Sequence, residues 1–199
     1  REMNLFGIPV PMEYEGMEMG FLESAVIGEL LSQACTTTGA VFGAHMLAEY
    51  PIMAFGDDQQ KEKYLKPLAT GESIGAFGLT EPSAGSDAGA VQTTARKVGD
   101  TYVLNGTKIF ITNGGDAEIY VIIANTAPEK GIRGVTAFIL EKGMEGFEFG
   151  KDEEKMAYKS LSNRELIFND CRVPEENVLG RVGRGFRVAM ETLDVGRIG

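Results

Sequence analysis

Two short segments of this chain combine hydroxyls, glycines and a stiff turn in a way suited to holding an anion or a planar ligand. The first, TEPSAGSDAG at residues 80–89, directly follows an apolar run. Its small side chains leave backbone N–H groups accessible, and Ser83 and Ser86 add hydroxyl groups. Such a loop can form a nest for a phosphate. Taken alone, however, a Gly/Ser loop after a strand is more often an ordinary turn.

The second segment, NGTKIFITNGG at residues 105–115, reads as a hairpin turn followed by a strand. The Asn-Gly pair at its start favours a two-residue hairpin. Strand alternation then sends Lys108, Phe110 and Thr112 to one face and the two isoleucines between them to the core. A face with an aromatic ring and a hydroxyl can hold a planar ligand. On pattern alone, an ordinary hairpin is the simpler interpretation.

Helices are predicted to support these segments from the N-terminal side. After a loop over residues 1–20, Leu22, Val26, Leu30 and Ala34 recur every four residues, which predicts a buried amphipathic helix.

Two more helices are predicted before the chain changes character. One covers about 41–55 and is interrupted by Pro51, because proline lacks the N–H that a helix interior needs. The other begins with Asp57 as its N-cap and ends at Gly71.

Beyond Gly71 the pattern is that of short strands separated by Gly, Asn, Asp and Pro. Seven runs are predicted to be strands, at 74–80, 101–104, 108–112, 119–124, 135–140, 147–150 and 165–169. This density favours an antiparallel sandwich or open barrel. Past Pro174 the pattern is helical again. We therefore predict an α+β multidomain chain, with a helical domain at 1–72, a middle β domain at 73–180 and the start of a further helical domain at 181–199.

Composition excludes several function classes. The chain has 199 residues, 29 acidic and 19 basic, for a formal net charge of −10. Nucleic-acid and membrane-surface binding both need positive potential, so neither is expected.

Cys35 and Cys171 are too few and too far apart for a disulfide framework or metal site, and both are predicted to be buried thiols in a reducing compartment. His45, the single histidine, is predicted to be a packed or capping residue rather than a catalytic one.

Considered together, the two segments resemble the middle β domain of acyl-CoA dehydrogenases. The resemblance rests first on GAFGLTEPSAGSDAG at 75–89 and LNGTKIFITNGG at 104–115. It extends over nearly the whole chain, through GIPVPMEY at 7–14, EKYLKPL at 62–68, DCRVPEENVLG at 170–180 and TLDVGR at 192–197. Within the family, the similarity leans towards short-chain, butyryl-type members.

This resemblance implies a cofactor, FAD, lying between the β domain and later helices. By the family's pattern, the cofactor-binding residues would be Phe77, Leu79, Thr80, Gly85, Ser86, Phe110, Ile111 and Thr112. Thr112 would direct its hydroxyl towards flavin N5, and Ser86 would lie near both the pyrophosphate and the thioester substrate. Asp194 and Arg197 match a position that contacts the CoA portion of the substrate.

The implied reaction is α,β-dehydrogenation of an acyl-CoA thioester to the 2-enoyl-CoA, as in fatty acid β-oxidation. Electrons would pass to an electron-transfer flavoprotein. No glutamate here has the context of the family's catalytic base, which is expected downstream of Gly199. We therefore assign no catalytic residue and expect residues 1–199 alone to be inactive. The family also implies a homotetramer, located in the bacterial cytoplasm or the mitochondrial matrix, of which the cytoplasm is preferred.

One stretch departs from the family's pattern. At residues 155–164 the usual Gly is Ala157, the usual Arg is Lys159, and Leu161 stands where some members touch the substrate. A tolerated loop change, an unusual acyl group and a changed protein contact all remain open.

Two other functions also remain open. One is a same-family oxidase or flavin monooxygenase, and the other is a non-catalytic subunit that binds flavin or acyl-CoA.

Overall fold

The fold is described for residues 3–197 from a computed structural model. Helices precede a β domain, and a last helix follows it. The helices are α1 (Phe21–Ala34), α2 (Thr36–Phe55), α3 (Asp58–Gln60), α4 (Lys66–Ala69) and α5 (Gly185–Gly196), with a π-helical turn (Lys61–Leu65) between α3 and α4. Short 3-10 turns lie at Leu5–Gly7, Met12–Tyr14, Pro128–Gly134 and Glu175–Asn177. No helix within the described residues is long and apolar enough to cross a membrane.

Helix α1 turns its aliphatic stripe outward, so the prediction that this stripe is buried was wrong. Leu22, Val26 and Leu30 are 73%, 50% and 59% exposed. The face that packs inward instead carries small residues: Ser24 is buried, and a Cβ added to Gly28 would lie 3.7 Å from the ring of Phe42 in α2. Small residues allow the two helices to approach closely, and this close approach decides which face of α1 is covered.

Helix α2 is longer than predicted and continues through Pro51, which does not interrupt it. Pro51 is buried, so packing around this central helix offsets the hydrogen bond that proline cannot make. The predicted N-cap at Asp57 is confirmed. Its carboxylate accepts the N–H of Gln60, whose side chain accepts the N–H of Asp57 in return.

The β domain is one mixed sheet, and the predicted α+β fold is confirmed. Its strands are β1 (Gly75–Gly78), β2 (Thr94–Val98), β3 (Thr101–Thr112), β4 (Ile119–Asn125), β5 (Val135–Glu141), β6 (Phe147–Asp152), β7 (Asn163–Pro174) and β8 (Val178–Leu179). The order is β6-β7-β3-β2-β4-β5-β8, with β1 also paired to β4. Most neighbours are antiparallel, while β4 has parallel pairings to β1 and β2, which alternation alone does not reveal.

The expected hairpin at Asn105–Gly106 was wrong, because β3 runs straight through it as one strand. Register with β7 shifts between Leu104 and Gly106, so the Asn-Gly pair forms a β-bulge. Gly106 has φ +147°, and a Cβ there would lie 2.6 Å from the hydroxyl oxygen of Thr93. The positive φ and the close approach of Thr93 both require glycine at position 106. The Asn-Gly pair that predicted a hairpin is therefore explained by the bulge.

Strand β4 explains why the core has two layers. All seven of its residues are buried, as expected for a strand covered on both faces. Val121 and Ile123 pack with Ile52 of α2, whereas Tyr120 and Ile122 join the cluster enclosed by the sheet. The β domain is therefore held against α2, which brings the ends of β1 and β3 close to the helices.

Of the predictions for the two cysteines and the histidine, two are confirmed and one is wrong. Cys171 is buried as predicted, but Cys35 is exposed because it lies at the junction between α1 and α2. His45 is fully buried and its Nδ1 accepts the N–H of Gly75, which confirms a packed histidine.

Candidate functional site

A cleft of about 690 Å³ opens where β1, β3, α2 and α5 meet. All eight residues predicted to bind the cofactor line it, namely Phe77, Leu79, Thr80, Gly85, Ser86, Phe110, Ile111 and Thr112. Of the two residues predicted to contact CoA, Arg197 lines the cleft and Asp194 does not. Asp194 is exposed on α5, outside the cleft.

The loop after β1 forms one wall and presents unpaired backbone donors. Among residues 3–197, no group accepts the N–H of Gly85 or Ser86. A Cβ on Gly85 would meet no heavy atom within 4 Å, so the backbone there is open. Free N–H groups beside a serine hydroxyl form a donor set suited to an anion such as phosphate.

Strand β3 forms the opposite wall, and a second bulge shapes it. Register with β7 shifts between Lys108 and Ile111. Phe110, at φ +58°, is 57% exposed, whereas Lys108 is fully buried. The expectation that Lys108, Phe110 and Thr112 share one face was therefore wrong, because the bulge breaks the alternation between the first two. As a result of the bulge, the aromatic ring of Phe110 is exposed at the cleft.

Thr112 keeps a proton available for a ligand. Asn163 Nδ2 donates to Thr112 Oγ1 over 3.2 Å and to the carbonyl of Phe110 over 3.3 Å. The threonine oxygen is the acceptor in this contact, so its own O–H can donate elsewhere. Asn163 thus fixes Phe110 and Thr112 at the cleft-facing end of β3.

The third wall consists of residues outside the two motifs, of which Leu161 matches in sequence a position that touches the substrate in some family members. Lys155, Tyr158 and Leu161 line the cleft from the connection between β6 and β7, and Asn163 lines it from the first position of β7. Lys155 Nζ is fixed by the carbonyls of Glu153 and Leu161, at 3.1 and 2.9 Å. The available signal was the departure from the family's pattern at residues 155–164, which falls on this wall.

The helical floor is apolar and closely packed. Ala40, Ala44 and Leu47 of α2 face Met190 and Leu193 of α5 across the base of the cleft. The lining residues within the described part of the chain include Lys155, Tyr158 and Arg197 but no Asp, Glu or His.

A buried ion pair lies beneath the loop after β1. Lys108 Nζ is 2.6 Å from Glu81 Oε1, and both side chains are almost fully buried. Burial lowers the pKa of Lys108 to about 8, against the opposing effect of Glu81. Burial alone would raise the pKa of Glu81, but the charge of Lys108 and hydrogen bonds from Lys108 and Thr93 hold it below its usual range.

Comparison with known proteins points to one family. The family model "Acyl-CoA dehydrogenase, N-terminal domain" matches residues 1–72, and "Acyl-CoA dehydrogenase, middle domain" matches residues 76–171. A short-chain specific acyl-CoA dehydrogenase of Clostridium acetobutylicum is 51% identical over all of this chain and 52% of its own length. The chain thus spans about half the length of the curated relatives it matches.

Solved structures agree with the sequence comparison. A chain from the electron transferring flavoprotein study of Acidaminococcus fermentans is 53% identical with a TM-score of 0.97, over 98% of this chain and 52% of that one. Butyryl-CoA dehydrogenase from Megasphaera elsdenii is 46% identical with a TM-score of 0.95, over 98% and 52%. An acyl-CoA dehydrogenase complexed with FAD, from Bacillus anthracis, is 41% identical with a TM-score of 0.91, over 98% and 33%.

Proposed function

This chain belongs to the acyl-CoA dehydrogenase family, of which it carries the N-terminal and middle domains, and from this we propose that the protein is an FAD-dependent dehydrogenase of acyl-CoA thioesters. The product would be the 2-enoyl-CoA. The observation that carries the proposal is that all eight residues picked out as cofactor-binding from the sequence line a single cleft.

The cleft residues fit FAD by their chemistry. Phe110 offers an exposed ring to a planar group, and the Thr112 hydroxyl has a proton to donate. Gly85 and Ser86 offer N–H groups without an acceptor among the described residues, which suits a pyrophosphate. When bound, FAD supplies the capacity to accept a hydride from carbon.

The chain's own residues then hold and orient the reactants. Phe110 and Thr112 orient the ring system, and Ser86 holds phosphate or substrate. Arg197 supplies a cation for the phosphates of CoA in a chain with a net charge of −10, and Asp194 lies three residues before it in the sequence. The apolar floor formed by α2 and α5 keeps water away from the reacting carbons.

The site within residues 3–197 is proposed to be one part of the whole active site. A base must take the α proton of the thioester, and no carboxylate lines the cleft within the described residues. We assign this role to a glutamate downstream of Gly199 and none to the chain itself. The proposed domains are a helical domain at 1–72, a middle β domain at 73–180 and the start of a further helical domain at 181–199. Residues 1–2 and 198–199 lie outside the described part of the chain.

The setting of the reaction is proposed from the relatives. An electron-transfer flavoprotein is the proposed electron acceptor, since a chain in the structural study of one is 53% identical. We further propose that the protein is a homotetramer in the bacterial cytoplasm and that it acts in fatty acid β-oxidation.

Replacement of Thr112 by valine tests the flavin part of this proposal. Thr112→Val keeps the shape of the side chain and removes its hydroxyl. Loss of one hydrogen bond of about 1 kcal/mol should weaken FAD binding about fivefold and shift the flavin absorbance bands. The matched control is Thr101→Val at the far end of β3, which should leave both unchanged. Equal FAD affinity and identical spectra in the two variants would contradict the assignment of Thr112.

A further inference from the structure

The Lys108–Glu81 pair is built into the base of the candidate cofactor loop. Lys108 Nζ contacts Glu81 Oε1 at 2.6 Å and donates to the carbonyl oxygen of Leu79 at 3.1 Å. Leu79 lines the cleft and directly precedes Thr80. The lysine therefore binds the point at which the chain leaves β1 and enters the loop.

Glu81 connects that point to the far end of the same loop. Its Oε2 accepts the N–H of Gln92 over 2.7 Å, and its Oε1 accepts the N–H of Thr93 over 3.0 Å. One buried carboxylate thus holds the start of the loop, through Lys108, and its end directly. Closing a loop in this way removes freedom that its backbone would otherwise have.

The pair also fixes the distance between the two walls of the cleft. Lys108 belongs to β3, two residues before Phe110, and the N–H of its neighbour Ile109 donates to the carbonyl of Thr80 over 2.9 Å. The loop carrying Thr80 and Ser86 is therefore attached to the strand carrying Phe110 at two adjacent points.

We propose that Lys108 and Glu81 are positioning residues whose ion pair closes the loop at residues 79–93 onto β3 and thereby sets the affinity of the cleft for FAD. This inference rests on the proposed function. Neither side chain reaches the cleft, since neither is among its lining residues, so both act through Leu79, Thr80 and the loop.

A purely stabilising role accounts less well for this arrangement. Desolvating two charges costs about as much as their attraction returns, and a buried ion pair can often be replaced by apolar residues without loss of stability. What an apolar pair cannot reproduce is the simultaneous hold on Leu79, Gln92 and Thr93.

The test removes both charges together. Lys108→Met/Glu81→Gln leaves no unpaired buried charge, so the fold should survive, with an unfolding midpoint lowered only by the hydrogen bonds lost at Leu79, Gln92 and Thr93. FAD binding should weaken about tenfold, equivalent to about 1.4 kcal/mol of lost positioning. Amide hydrogen exchange of the FAD-free protein should be faster at Gln92 and Thr93. The matched control is Lys97→Met/Glu175→Gln, which removes a half-exposed pair elsewhere in the β domain and should change neither readout.

The outcomes separate this inference from the proposed function. Wild-type FAD affinity and unchanged loop exchange in the double variant would overturn the positioning role. A wild-type protein that takes up no FAD would overturn the proposed function and the FAD part of the inference, while loop exchange still decides whether the pair closes the loop. If the double variant does not fold, Glu81→Asp keeps the charge on a shorter side chain. Weaker FAD binding by that variant supports the role, and wild-type binding refutes it.

Discussion

Glu49 gives the protein a pH-dependent stability that one substitution should remove. This side chain is fully buried on α2, and neither carboxylate oxygen has a hydrogen-bond partner within the described residues. The nearest polar group is His45 Nε2 at 3.7 Å, beyond hydrogen-bonding distance. His45 Nδ1 accepts the N–H of Gly75, so the ring's own proton lies on Nε2, facing Glu49. Burial raises the pKa of Glu49, although His45 opposes the shift.

The sign and size of the effect follow from proton linkage. Above a pH of about 4.5, the folded state keeps a proton on Glu49 that the unfolded state has lost. The free energy of unfolding therefore falls as pH rises through the folded-state pKa, by at most about 1.4 kcal/mol per pH unit. Glu49→Gln keeps the shape of the side chain and removes this titration. At pH 7 the variant should be more stable than wild type, by about 1.4 kcal/mol for each pH unit by which burial raises the pKa of Glu49 in the folded state.

Urea unfolding of the purified protein between pH 4.5 and 8 measures this directly. Wild type and Glu49→Gln should agree near pH 4.5 and diverge as pH rises. Glu129→Gln, at an exposed acid, is the control and should follow wild type. If Glu49→Gln keeps the wild-type slope, or is less stable than wild type at pH 7, the view of Glu49 as an unpaired buried carboxyl is wrong.

Three further predictions concern backbone, substrate and thiol chemistry. Gly106→Ala should lower the free energy of unfolding by more than about 1 kcal/mol, measured by urea unfolding. Gly99→Ala, which also has positive φ but open space around it, should cost less. Arg197→Ala should weaken acyl-CoA binding about tenfold in calorimetry without loss of FAD, and Asp194→Asn, outside the cleft, should have a smaller effect. A thiol reagent should modify Cys35 in the native protein and the second cysteine only after unfolding, since hydrogen bonding with Thr38 lowers the pKa of Cys35.

The sequence was most informative where local chemistry has one structural solution. Asp57 followed by Gln60 predicted a capped helix start, and the strand runs predicted six of the eight strands, two runs merging into β3. The motif residues around Thr80 and Thr112 were expected in one site, and both line the cleft.

Tertiary contacts decided the rest. An aliphatic stripe such as Leu22 and Val26 marks one face of a helix, but the small residues opposite determined which face packs. The Asn-Gly pair at 105–106 signals positive φ, which a hairpin and a bulge share. Alternation placed Lys108 at the surface, and only its pairing with Glu81, 27 residues earlier, explains its burial. Parallel pairing to β4 and the lining residues near Asn163 likewise depend on contacts distant in sequence.

The central claim is tested most directly by anaerobic titration of the natively purified protein with butyryl-CoA, following flavin absorbance, with the intact mass recorded. We predict that the protein carries FAD and that its visible absorbance bleaches as butyryl-CoA is added. A protein without flavin, or one whose flavin no acyl-CoA reduces, would contradict the dehydrogenase assignment and favour a non-catalytic binding subunit.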